Sequence, residues 1–251
     1  MKTLTIYDFD ETIMCMPTSI NLKQFVKGKW IERSVDSAEF ALIRNNKNVK
    51  VDEKKSFVGF YEDQHFINHI VEALDNKKFG PAFNDFKRTI INAENFVIVT
   101  SRGHSFNAIL TGIMMIIVKC FTTDELCEMN TNMEDIGDYL SNQKIFTIFS
   151  DEFEFVHCKN KSEYICGADR KKLALDNMLL VNKHINDYDK IIFFDDDKAN
   201  LMAIKDLFIK IGKKYQDKKL EIYNTSKGLT RIFYCKAPAV VLNNHQNSPL
   251  L

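Results

Sequence analysis

Thr3-Leu-Thr-Ile-Tyr-Asp8-Phe-Asp10-Glu-Thr12 is the stretch on which the reading of this 251-residue chain turns. Its first half is a short apolar run, Leu4–Tyr7, and its second half sets two aspartates either side of Phe9. A run this short and apolar suits a strand buried on both faces of a parallel sheet. While the chain stays extended, residues i and i+2 carry their side chains on the same side. The strand would therefore deliver both carboxylates to one rim. Like charges so close repel unless a cation lies between them or one takes a proton. That arrangement serves phosphoryl transfer, because one ionised aspartate can attack phosphorus and hold it as an aspartyl-phosphate. The other can protonate the departing oxygen and later deprotonate a water. Alone, however, Asp-x-Asp is common, and a turn or a helix cap explains it as readily.

Working outward, similar apolar runs recur at Phe96–Val99, Ile145–Phe149 and Ile191–Phe194, with a fifth candidate at Leu220–Tyr223. Amphipathic stretches at His104–Lys119, Asp169–His184 and Lys198–Lys213 would supply crossover helices. Strands alternating with helices predict an α/β fold, a doubly wound Rossmann-like parallel sheet sandwiched by helices. In such sheets ligands bind at the carboxyl ends of the strands. The second run ends in Thr100-Ser101-Arg102-Gly103, and the fourth in Asp195-Asp196-Asp197 with Asn200 a turn later. Lys171-Lys172 opens the helix before that fourth strand.

Each feature has a bland explanation beside the functional one. Thr100 can bind a transferring phosphoryl group together with the first N–H groups of the following helix, or it can simply cap that helix. Arg102 can reach substrate phosphate or form a structural ion pair with the acidic rim. Three consecutive aspartates abutting four buried apolar residues are unfavourable without a counter-ion, and a metal site explains them more economically than a solvated run.

Four segments, DFDET, FVIVTSR, DRKKLALDNM and IIFFDDDKAN, stand in the order that marks the haloacid dehalogenase-like superfamily, which this chain resembles from about Thr3 to Leu207. The resemblance implies a core sheet ordered 5-4-1-2-3 and a phosphatase, because the second position of the first motif is an aspartate. It implies Asp8 as nucleophile, Asp10 as general acid and base, and Thr100 as a phosphoryl-binding residue, with Ser101 and Arg102 beside it as substrate-binding candidates. It also implies Mg²⁺ held by Asp8, the Asp10 carbonyl, Asp195 and Asp196. For the lysine, the spacing of Ala174, Leu175 and Met178 favours Lys171 over Lys172, with Lys159 and Lys161 as outside candidates.

The remaining sequence bounds the rest. Residues 1–13 and 94–236 are read as the core, 14–93 as an inserted, mainly helical cap, and 237–251 as a partly disordered tail. The excursion Thr122–Lys144 is polar and acidic, as expected of a surface insertion. Lys+Arg and Asp+Glu both number 34, so the balanced charge weakens a general polynucleotide binder. The six cysteines show no Cys-x-x-Cys pair and read as reduced, mostly buried thiols of a cytoplasmic protein. No signal-peptide shape or membrane span is expected, the longest apolar stretch, 108–118, being too short. His65 and His69 lack the further ligands zinc would need. Trp30 and the Phe57, Phe60 and Tyr61 group are assigned to a small core of the insert in preference to base stacking. The leading expectation is a Mg²⁺-dependent phosphatase of small metabolites such as nucleotides or sugar phosphates. Its alternatives are a phosphatase of nucleic-acid ends and a catalytically silent scaffold, and the sequence gives no oligomeric state.

Overall fold

In the computed structural model, residues 1–52, 55–157 and 166–235 are described. Strand β1 (Thr3–Tyr7) is followed by β2 (Ile20–Val26), β3 (Lys29–Val35), α1 (Ser37–Ile43), β4 (Val49–Lys50), α2 (Asp63–Asp75) and α3 (Phe83–Ile91). The chain continues through β5 (Asn95–Thr100), α4 (Phe106–Cys120), α5 (Thr123–Asn132), α6 (Ile136–Ser141), β6 (Lys144–Thr147), α7 (Asp151–His157) and α8 (Gly167–Asp176). It closes with β7 (Lys190–Asp195), α9 (Lys198–Lys214), β8 (Lys219–Asn224) and β9 (Thr230–Cys235).

The main sheet runs β6-β5-β1-β7-β8-β9, and every pairing is parallel except β8 with β9. Its five parallel strands stand in the order expected from the sequence. β9, an antiparallel edge strand, was not foreseen, although its Ile232–Cys235 is a short apolar run. The two faces of the sheet bury separate cores, which explains why β1 carries apolar side chains toward both. Tyr7 and Phe9 join Phe66, Phe86, Ile109 and Ile113 on one side. Leu4 and Ile6 join Leu175, Ile204, Leu207 and Phe208 on the other. The molecule is thus an α/β protein with a mostly parallel sheet flanked by helices, compatible with a Rossmann-like fold.

The segment between β1 and β5 corrects the expectation of a mainly helical insert. Helices α2 and α3 are present, but their apolar faces (Phe66, Ile70, Phe83, Phe86) belong to the main core. The outer part is instead an antiparallel sheet, β3-β2-β4, with α1 beside it. Ile20, Leu22, Val35 and Phe60 form its own small core, with Phe40 and Phe57 packed against them. The hairpin turns on Lys27 (φ 49°) and Gly28 (φ 80°), the paired positive φ values that suit the twist of a two-residue β-turn. Ile20-x-Leu22 followed by Lys-Gly carried that signal, which a search for helical period passes over.

The excursion 122–144 holds the two short helices α5 and α6, and Met129 and Leu140 anchor it to the main core. Among the described residues no disulfide forms, and the expectation of mostly buried thiols is corrected. Cys127 and Cys166 are exposed, and Cys15, Cys120 and Cys235 are half-buried. Several sit at element ends, Cys120 closing α4, Cys166 preceding α8 and Cys235 closing β9, where packing is incomplete. No helix among the described residues is long and apolar enough to cross a membrane. The tail 237–251 lies outside the described residues.

Candidate functional site

Sheet register brings the separate motifs to one rim. Tyr7 is paired with Ile98 on one side and Phe194 on the other, so the residues that follow, Asp8, Val99 and Asp195, stand level. The Asp8 amide donates to the Phe194 carbonyl at 2.9 Å, which carries the ladder to the last residue before the loop. The loop then turns sharply. Ile13 and Met14 donate to the Phe9 carbonyl, and Glu11 takes a left-handed backbone (φ 54°). From the insert, the Gly80 and Ala82 amides donate to the Ile13 and Thr12 carbonyls and hold the loop down.

Asp8, Asp195 and Asp196 each offer a carboxylate oxygen within 4.8 Å of the others. Lys171, completely buried, lies 2.9 Å from Asp8 Oδ1 and donates to Asp195 Oδ2 at 2.8 Å. Burial alone would strip the proton from this lysine, but Asp195 and Asp8 outweigh it and raise its pKa above the ordinary value. Asp195 is fixed further by the Asp197 amide (2.8 Å) and by Asn200 Nδ2 (3.0 Å). Burial raises the pKa of Asp8 well above the carboxylate range despite Lys171, with Asp195 and Asp196 adding to the rise. Asp196 is pushed up to about 7 by burial and then by Asp195. The protein alone therefore supplies too little positive charge for this cluster. A site of carboxylate oxygens short of positive charge suits a hard divalent cation.

The three consecutive aspartates are sorted into different tasks. Asp195 and Asp196 join the cluster, whereas Asp197 caps α9 through the Ala199 amide (2.8 Å) and pairs with Arg44 on α1 at 2.7 and 3.0 Å. Of the two lysines, Lys171 enters the site and Lys172, half-buried, does not. Lys159 and Lys161 lie outside the described residues. Thr100 is completely buried, and its Oγ1 has no hydrogen-bond partner. It caps nothing, because α4 starts later with Ser105 as its N-cap. An orphaned buried hydroxyl is costly, so this one is placed to meet a ligand.

Asp10 lines the cleft above the cluster, and Arg102 grips both its oxygens, Nε to Oδ2 at 2.8 Å and Nη2 to Oδ1 at 2.5 Å. Arg102 is completely buried, donates also to Thr18 Oγ1 (2.8 Å) and lies over the Phe60 and Phe66 rings. Arg102 thus forms the ion pair with the acidic rim that stood as the alternative to phosphate binding, while its Nη1 is buried without a partner and the residue does not line the cleft. Ser101, exposed, does line it.

The cleft has a volume of about 800 Å³ and lies between the sheet rim and the insert. Phe40, Phe57, Phe60, Tyr61 and Phe149 make it aromatic, and Asp8, Asp10 and Asp196 form its acidic end. Two contributors escaped the sequence reading. Arg44 has no motif around it, and Thr18, which meets both Arg102 and His69 Nδ1 (2.9 Å), sits in an unremarkable loop.

Comparison of the chain with protein-family models, with curated proteins and with solved structures returned no significant match. The class the coordinates define is therefore an α/β protein with a buried, cation-deficient carboxylate cluster at the carboxyl end of its parallel strands.

Proposed function

We propose that this chain is a Mg²⁺-dependent phosphomonoesterase of the haloacid dehalogenase-like kind, with Asp8 as its nucleophile. The observation that carries the reading is the convergence of Asp8, Asp195 and Asp196 within 4.8 Å, beside a buried ammonium and an unpartnered Thr100 hydroxyl. The all-oxygen donor set and the raised carboxyl pKa values fit Mg²⁺ better than a softer metal. Held by Asp8, Asp195 and Asp196, with the Asp10 carbonyl as a further ligand, Mg²⁺ would neutralise charge between the carboxylates and the substrate phosphate.

In the first step an Asp8 oxygen forms a bond to phosphorus as the ester bond to the leaving oxygen breaks. Asp10, protonated on one oxygen once that oxygen is free of the Arg102 fork, gives its proton to the leaving oxygen of the ester, while the remaining Arg102 bond keeps the carboxyl in orientation. Lys171 holds Asp8 in place and supplies part of the counter-charge that its ionised form needs, the bound cation supplying the rest, while the Thr100 hydroxyl donates to the phosphoryl group. In the second step Asp10 takes a proton from water, whose oxygen displaces Asp8 from phosphorus and releases inorganic phosphate.

The substrate class follows from the cleft. Its size and aromatic walls suit a leaving group with a planar ring, which favours a nucleotide over a sugar phosphate. A free mononucleotide and the last nucleotide of a strand both satisfy that description, and activity on mononucleotides against 3′- and 5′-phosphorylated oligonucleotides separates them. The mechanism itself is tested with a generic aryl phosphate. Wild-type protein should release phosphate with Mg²⁺ and stop on adding EDTA, and Asp8→Asn should fall at least a thousandfold. Turnover unchanged in Asp8→Asn would exclude Asp8 as nucleophile.

A further inference from the structure

The β2–β3 hairpin leaves in water what a folded chain ordinarily covers. Phe25, Val26, Trp30 and Ile31 are all exposed, and every residue of β3 before Val35 is exposed as well. The expectation that Trp30 fills the insert's core is thereby corrected, since that core ends with Ile20, Leu22 and Val35 at the other end of the hairpin. Beyond it the two strands project as an arm.

One face of the arm is both aromatic and basic. Phe25 and Trp30 are register partners with ring centroids 5.3 Å apart. Lys23 lies two residues along the same face, and Lys50 on β4 pairs with Lys23 and holds its Nζ 4.3 Å over the Trp30 ring. Lys27 sits in the turn itself, and Lys29 after it stands on the opposite face with Val26, both exposed. Glu32 is the single acid in these three strands, and its contact with Lys23 is loose, at 3.9 Å between exposed side chains. Lysines on an edge strand are a common guard against aggregation. That explains the charges but not two aromatic rings left in water beside them.

We propose that this arm binds single-stranded nucleic acid, with bases stacking on Phe25 and Trp30 and phosphates meeting Lys23, Lys27 and Lys50. Ring platforms interleaved with ammonium groups match a polymer that alternates unpaired bases with phosphates. In a chain of zero net charge, this local excess is what charge complementarity to such a polymer requires. A lipid surface fits less well, because Asn21 and Ser34 share the face and break any apolar wedge. Ile20 at the foot of β2 and Ser37 just after β3 line the cleft, so the arm is rooted at the cleft mouth. The catalytic consequence rests on the phosphatase reading, since a bound strand would make a terminal nucleotide phosphate the substrate. The binding does not rest on it.

The test is fluorescence anisotropy of a short labelled oligothymidylate with the full chain in EDTA, where neither metal nor turnover contributes. Saturable binding that weakens steeply with salt is expected. Phe25→Ala with Trp30→Ala should weaken it about tenfold or more, and Lys23→Gln with Lys50→Gln should flatten the salt dependence. All four side chains are exposed, so the variants should keep wild-type circular dichroism and aryl-phosphate turnover. No binding at low salt, or binding unaltered in the aromatic pair, overturns the proposal. So does preference for phosphatidylserine vesicles over the oligonucleotide, or arm-dependent dimerisation in sedimentation. Any of these would leave the aryl-phosphate assay of Asp8 untouched, and failure of that assay would leave this one untouched.

Discussion

At the scale of single residues, the site is governed by what burial does to charge. Lys171 is tolerable in a dry interior only because two carboxylates surround it, and Asp8 and Asp196 remain short of a counter-charge even so. His104 responds in the opposite sense. It is completely buried beside Phe66, and burial, then the Arg102 charge, lower its pKa to about 4. The folded chain therefore refuses a proton that the unfolded chain accepts below its ordinary value near 6.5. Stability supported by this neutral ring is complete above pH 6.5 and declines as pH falls toward 4. Between pH 7 and pH 5 the loss from this group is about 2 kcal/mol. Urea titrations at both pH values should show a smaller difference in His104→Asn than in wild type, and an equal difference would refute this account. The helical period alone singled out Lys171, because a lysine one position along would have set an aspartate against the core. Nothing local distinguished Arg102 as a partner of Asp10 from Arg102 as a phosphate ligand. That choice depends on Thr18, Phe60 and Phe66, which approach from the insert.

At the scale of elements, the loop after β1 owes its shape to a contact from far along the chain. A Cβ on Gly80 would come within 2.4 Å of the Thr12 carbonyl oxygen, a backbone atom with no room to yield. Gly80→Ala should therefore cost about 1–3 kcal/mol of stability. It should also lower kcat on an aryl phosphate, because the displaced backbone is the one that carries Asp10. A variant with wild-type kcat and wild-type urea midpoint would show that the loop does not need this contact. The parallel strands were legible because they are largely buried on both faces and so read as mainly apolar runs. β3 was not, since a strand that faces water carries lysine, arginine and glutamate like any loop, and β9 was not, although it holds Ile232–Cys235.

At the scale of the whole molecule, a charged contact joins the insert to the core across the cleft, besides the Asp10–Arg102–Thr18 knot. Arg44 on α1 forms two hydrogen bonds with Asp197, the cap of α9. The pair is partly exposed, so its contribution to global stability is small, about 1 kcal/mol or less. Its effect should instead fall on how firmly α1 closes the cleft. Arg44→Ala should speed limited proteolysis within residues 37–50 and raise KM more than it changes kcat, with the thermal midpoint nearly unmoved. Cleavage at the wild-type rate would mean that the small core around Phe60 holds α1 without this pair.

By itself the sequence determined which residues end the buried strands, and hence that Asp8, Thr100, Asp195 and Asp196 share a rim. Burial on both faces is a local property, written in runs of four to six residues, and the helices between those runs make the strands parallel. Tertiary structure alone decided how the charges at that rim divide. Asp197 went to Arg44 across 153 residues and Asp10 to Arg102 across 92. Such pairings are set by distances between packed elements, and neither partner carries a local mark of the other.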